Sequence, residues 1–190
     1  MRVLTPHLLA VDDAPFKKSD DRTLLVGVVH DEDLTPWRVV ARPASVDGSE
    51  ATRLALELVR LTEPRLVLVD SVTCCGFNFI DGEAVWRETR VPVVHVFLYP
   101  LDMAAVRRAL EKAGLLDERL EVIERHWSRS VRIDCRLGGF WVTVWGGVEP
   151  GSVCRLQLYS RVPTPLQNAH RLARVLWEAL RSGLNPGGSG

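Results

Sequence analysis

The chain has 190 residues, 25% of them charged and 46% apolar, which suits one globular domain of ordinary size and excludes a disordered chain. Twenty-four Lys+Arg balance 24 Asp+Glu, so the net charge is zero and the strong basicity common in nucleic-acid binders is missing. No apolar run reaches the ~18–20 residues of a membrane span, and the N-terminal stretch turns acidic at Asp12 too soon for a signal peptide, so a cytoplasmic protein without a membrane partner is expected.

Residues 7–12 (HLLAVD) are apolar and end in an acid, which predicts a first strand. The polar segment 13–22, with Pro15, is a loop. Residues 23–30 (TLLVGVVH) predict a second strand and 37–46 (WRVVARPASV) a third. Pro43 lies inside the third, and proline lacks a ladder donor, so that strand belongs at an edge or a bulge. Short links make these three an antiparallel meander. Asp47-Gly48-Ser49 breaks the strand, Ser49 is a candidate N-cap, and 50–62 carries apolar residues at helical spacing up to Pro64.

Residues 65–70 (RLVLVD) form a near-continuous apolar run, as a central parallel strand covered on both faces requires. A helix over 81–89, a buried strand over 91–98 and a helix over 102–113 ended by Gly114 continue the alternation. Segments 119–124, 130–136 and 140–146 read as strands and 150–159 as a helix capped by Glu149. Residues 166–182 predict an amphipathic helix with Leu172, Val175, Leu176, Ala179 and Leu180 on one face. The expected fold is α/β: antiparallel strands 1-2-3, then parallel βα units, with helices on both faces. One domain over residues 1–186 is expected, with the Gly-Gly-Ser-Gly end, 187–190, as a flexible tail. Cys74, Cys75, Cys135 and Cys154 show no metal-knuckle spacing and are read as four free thiols.

Topology gathers the acids. If the first strand runs up, the third runs up after the hairpin, and the fourth runs up after the first helix. Asp12, Asp47 and Asp70 end those strands and so share one edge of the sheet, where open α/β sheets hold their ligands. Neighbouring carboxylates raise one another's pKa, and a divalent cation relieves the repulsion. Oxygen donors suit Mg²⁺ or Mn²⁺, and such an ion serves hydrolysis of phosphate bonds. The structural alternative for each acid singly is a cap or turn role.

Other candidates cluster around these. Asp13 projects to the other side of its strand and reaches a substrate only if the strand has ended there. His170, one turn into the last helix, is a candidate ligand or proton-transfer group. Ser71 and Thr73 are candidate phosphate donors. The run Thr73 to Phe79 offers Phe77 to stack on a flipped base and Asn78 to read its edge, against the alternative of a buried loop with aromatic anchors. Asp81 reads as a helix cap and His95 as a satisfied core histidine. Nearly all positive charge is Arg, and Arg125, Arg129, Arg132, Arg161, Arg171 and Arg174 lie among late aromatics, a pattern that fits a nucleic-acid backbone groove as well as a solvated surface.

In chain order, Ala10-Val11-Asp12-Asp13-Ala14-Pro15-Phe16, Val46-Asp47-Gly48 with Ala51-Thr52, Leu68 through Thr73 on to Gly76-Phe77-Asn78, Arg161-Val162-Pro163 and Leu166 through His170 resemble the endonuclease dU family, prokaryotic relatives of endonuclease V. The resemblance covers about residues 5–182. It implies a ribonuclease H-like fold, Mg²⁺ (or Mn²⁺) bound by Asp12, Asp47 and Asp70, a fourth site residue near His170, and cleavage of DNA at deaminated bases, deoxyuridine above all. No protein partner is implied. Ala14 and Ser71 stand where the family tends to carry glycine.

Overall fold

The computed structural model describes residues 7–183; the tail at 187–190 lies outside the described residues. A seven-stranded sheet has the order β3-β2-β1-β4-β7-β9-β8. Its strands are β1 (Leu8–Asp13), β2 (Arg22–His30), β3 (Pro36–Ser45), β4 (Leu66–Asp70), β7 (Val93–Phe97), β8 (Val131–Ile133) and β9 (Phe140–Trp145). A two-residue hairpin, β5 (Thr73–Cys74) with β6 (Asn78–Phe79), stands apart. The helices are α1 (Ala51–Thr62), α2 (Gly82–Thr89), α3 (Met103–Ala113), α4 (Glu118–Ser128) and α5 (Thr164–Gly183).

The first half follows the sequence pattern closely. β1 pairs antiparallel with β2, and β2 with β3. β3 is an outer strand, the place that tolerates Pro43. β1, β4 and β7 run parallel, and their apolar runs are covered on both faces. One core lies between the sheet and α1 and α2, around Leu9, Val11, Leu58 and Val69. A second lies beneath α5, around Leu8, Ala10, Val26 and Leu166. A third joins α3 and α4 to the end of β7 through Phe97, Leu110 and Ile123. Among the described residues no helix is long and apolar enough to cross a membrane.

Five expectations are corrected. Residues 119–124 are helical, not a strand: Asp117 accepts from Arg119 N–H at 3.0 Å, and Leu120, Ile123 and Trp127 recur at helical spacing on the third core. The short Leu120-Glu121-Val122 alternation imitates a strand. Ser49 does not cap α1; Asn78 Oδ1, distant in sequence, accepts from Ala51 N–H at 3.0 Å instead. Residues 150–156 form a 3₁₀ segment rather than an α-helix, opened by Glu149.

Helix α5 buries Leu166, Ala169 and Ala173, whereas Val175 and Leu180 are exposed. The small residues win because they let α5 lie close on β1 and β2. Cys135 and Cys154 form a disulfide and only Cys74 and Cys75 are free thiols, because the β8–β9 loop and the 3₁₀ segment bring the two Cα atoms to 5.3 Å.

Candidate active site

Side chains alternate along a strand. In β1, Leu9 and Val11 enter the α1 core and Leu8 and Ala10 the α5 core, so Asp12 falls on the α5 face and Asp13 on the α1 face. In β4, Val67 and Val69 face α1 and Leu68 faces α5, so Asp70 also falls on the α5 face. The strands pair in parallel up to Val11↔Val69. Asp12 and Asp70 are therefore neighbours one residue beyond the last pair, at the carboxyl ends of adjacent strands ~4.8 Å apart.

The electrostatics reflect this crowding. Burial, then the charges of Asp70 and Asp13, push the Asp12 carboxyl up to about 8. Burial also raises Asp13, against the Cys75 N–H that its carboxylate accepts at 2.7 Å. Asp70 is raised by burial and by Asp13, with His170 opposing. Asp12 is itself 7% exposed and uses one oxygen on Asp13 N–H at 2.8 Å. Its other oxygen lies 3.0 Å from His170 Nδ1, whose ring is exposed on α5. Ala169 and Ala173 let α5 sit low enough for that contact.

Asp47 stands on the same edge with different surroundings. It has φ 57°, its N–H donates to Cys75 O at 2.9 Å, and its carboxylate accepts from Phe77 N–H at 2.8 Å. Gly76, at φ 82°, backs onto it so tightly that a Cβ there would lie 2.2 Å from the Asp47 carboxylate. Arg119, almost fully buried, donates to Asp47 O at 3.0 Å, Gly48 O at 2.9 Å and Phe77 O at 3.1 Å, and pairs with Asp117. Among the described residues no three His, Cys, Asp or Glu side chains converge as a ready metal-ligand set. The structure thus brings Asp12, Asp13, Asp70 and His170 together and turns the Asp47 side chain onto the 75–77 turn.

The remaining candidates divide. Asn78 is fully buried: its Oδ1 accepts from Ala51 and Phe79, and its Nδ2 donates to Ser45 O and Glu50. With every polar atom committed it is a structural hub, which favours the buried-loop alternative over a role in reading a base. Phe77 packs partly buried on the third core. Thr73 is half-buried in the hairpin beside Cys74.

Ser71 has φ 62°, a left-handed conformation that explains why glycine suits this position. Its carbonyl accepts from His95 Nδ1–H at 2.8 Å. Burial, then His126, lowers His95 to about 3, so its ring is neutral; its Nε2 has no partner among the described residues, so it is only half satisfied. Asp81 caps α2 through Glu83 and Ala84, as expected. Arg161 donates to Gly139 O at 2.7 Å and to Leu98 O, tying together loops at the site edge. Arg125 pairs with Asp81 and Glu83, Arg132 with Asp134 and Arg174 with Glu178, so these three carry little free positive charge.

Sequence reasoning missed Arg119, because its helix was read as a strand, and Gly76, whose need for positive φ depends on a contact 29 residues away. The link from His95 to Ser71 had no sequence signal.

A parallel core extended by an antiparallel meander, with acids at adjacent carboxyl ends, has a ribonuclease H-like fold, the fold of endonuclease V. Human endonuclease V superposes with a TM-score of 0.61 at 18% identity, over 95% of this chain and 86% of that one. A Ciona intestinalis endonuclease V bound to DNA containing an inosine followed by a ribo-adenosine gives 0.59 at 11%, over 92% and 87%. An Archaeoglobus fulgidus protein of unknown function gives 0.72 at 22%, over 89% and 96%. At the level of family, the endonuclease dU model matches residues 5–177, and the chain belongs to the endonuclease dU family. Its relatives include UPF0215 proteins of Thermococcus sibiricus, 30% identical over 93% of this chain and 95% of that one, and of Thermococcus kodakarensis, 34% identical over 90% and 91%.

Proposed function

We propose that this chain is a metal-dependent endonuclease that hydrolyses phosphodiester bonds in DNA at or near deaminated bases, deoxyuridine foremost, and serves DNA repair. The observation that carries the reading is the Asp12–Asp70 pair, two crowded carboxylates of which Asp12 is held near a pKa of 8 by burial and by its acidic neighbours. Such a pair is costly alone and is relieved by a cation. The donor set is all oxygen, which fits Mg²⁺ or Mn²⁺. Asp12 and Asp70 would hold the ion, with Asp13 or a shifted Asp47 to complete the site. When bound, such an ion supplies water activation and stabilisation of the leaving oxygen.

The chain's own residues do the rest. His170, steered by Asp12, presents an exposed imidazole that can accept or release a proton at the site mouth. The Asp13 carboxylate fixes the Cys75 backbone, and with it the loop that borders the site. Family membership and the endonuclease V-type fold support nuclease chemistry. The inosine-containing DNA held by the Ciona protein supports a nucleic-acid substrate with an abnormal base, and its ribo-adenosine keeps RNA, as in an inosine-type endoribonuclease, as an arm of the test.

A second reading has its own observation. Among the described residues no ready set of three metal ligands converges, because Asp13 falls on the opposite face of β1 and Asp47 is held on the 75–77 turn. That favours a nucleic-acid-binding module with weak or no activity. The test is a nicking assay on labelled DNA and RNA oligonucleotides bearing uracil, hypoxanthine or normal bases, with Mg²⁺, Mn²⁺ or EDTA. Metal-dependent scission at one abnormal base is expected. Salt-sensitive binding without scission by folded, metal-supplied protein establishes the binding module instead.

A further inference from the structure

We propose that Tyr99, seated on Arg161, is a preformed stacking platform for one unpaired nucleobase of the substrate, so that the substrate strand is single-stranded or locally opened beside the scissile phosphate. This rests on the nucleic-acid reading above. Tyr99 is 71% exposed, unusual for a large aromatic, yet it is not loosely held. The Arg161 guanidinium lies 5.0 Å from its ring centroid, and that guanidinium is fixed by Gly139 O and Leu98 O. Leu98 is anchored against the α5 core and Pro100 follows, so both neighbours restrict the backbone.

The guanidinium lies against the ring, and the 71% exposure of Tyr99 leaves ring surface open to a base. Because the rotamer is already set, stacking costs little side-chain entropy. Cation–π contact and base stacking add on the same ring.

Position supports the assignment. Asp70 pairs with Val96 of β7, and Tyr99 lies three residues further along. At ~3.3 Å per residue it stands at most about 10 Å beyond the carboxylates, on the same sheet edge. The surrounding loops add charge of the right sign. Arg136 and Arg171 are exposed and pair with no acid among the described residues. Arg136 belongs to the loop whose Gly138 abuts Arg161, and Arg171 follows His170. The zero net charge therefore hides local basic groups at this edge, which suit a phosphate backbone.

The test is equilibrium binding in EDTA at fixed salt, read by anisotropy of dye-labelled single-stranded DNA and RNA oligonucleotides, each also with one abasic position scanned along it. Tyr99→Ala, which removes an exposed ring and is checked for folding by circular dichroism, is expected to weaken binding about 10-fold, the scale of one stacked base. Tyr99→Phe is expected to stay within about 2-fold. One abasic position should weaken the unaltered protein by a similar factor and leave Tyr99→Ala unaffected, since ring and base form one contact. Unchanged binding by Tyr99→Ala, or additive losses at every abasic position, overturns the platform. Platform behaviour without scission in Mg²⁺ leaves it standing and removes the nuclease reading; scission with Tyr99→Ala binding unchanged does the reverse.

Discussion

Two acidic positions on one sheet edge have opposite fates. Asp47 is satisfied: Phe77 N–H on its carboxylate, Cys75 O on its amide, Arg119 on its carbonyl, Gly76 pressed against it. Asp12 is crowded by Asp70 and Asp13 and helped by one exposed histidine. A knot of met hydrogen bonds does structural work, while a crowded, buried carboxylate at a strand end is where the proposed cation would act. The difference separates two residues that look alike in the sequence.

The largest effect expected is at the crowded pair. Asp70→Ala should abolish scission in the nicking assay while the far-ultraviolet spectrum stays native, since its side chain sits at a strand end and not in the core. Equal activity would erase the distinction between the two acids. Asp12→Asn tests the crowded charge by stability. The folded pKa of Asp12, about 8, lies above the ordinary 3.8, so the native state binds more protons than the unfolded chain between those values. Its contribution is fully present below pH 3.8 and is lost as pH rises through about 8. The variant should therefore gain on the metal-free protein as pH rises from 4 to 8 in paired thermal melts, then level off. Added Mg²⁺ should raise the melting temperature of the unaltered protein and not of the variant. A constant difference across pH would contradict the crowding.

On the satisfied side, Arg119→Met should cost about 2–4 kcal/mol in urea unfolding, because three carbonyls lose a buried donor. A loss under about 0.5 kcal/mol, the scale of an ordinary surface change, would show that the knot does not hold the Asp47 turn.

How far the sequence reached follows the same division. The strand ends at Asp12 and Asp70 were legible because alternating apolar runs place both element and face. Pro43 marked its edge, and Asp81 and Gly114 marked helix ends. Asp47 was legible as a strand end, but not the direction of its side chain, which depends on a turn 28 to 30 residues later. Helix α4 was misread because Leu120 and Val122 imitate a strand when the third core is not yet known. The disulfide joins residues 19 apart whose spacing carries no motif. Local pattern gives elements and faces, while partners distant in sequence decide which polar groups are spent.

Asn78 gives the smallest effect and the sharpest distinction. A residue that reads a base and one that ties loops both weaken the protein when removed, so activity alone does not separate them. Asn78 is wholly buried, and its amide joins Ala51 N–H at the start of α1, Ser45 O at the end of β3 and Glu50 between them. Asn78→Ala removes a helix cap and leaves Ser45 O with only the longer Gly48 N–H bond at 3.3 Å, so a loss of about 1–2 kcal/mol is expected. A spent side chain has no atom to offer a base, so the ratio of scission rates among uracil, hypoxanthine and normal oligonucleotides should not move, measured well below the variant's melting temperature. A shifted ratio at undiminished stability would place Asn78 on the substrate and reopen the division between the two regions at its centre.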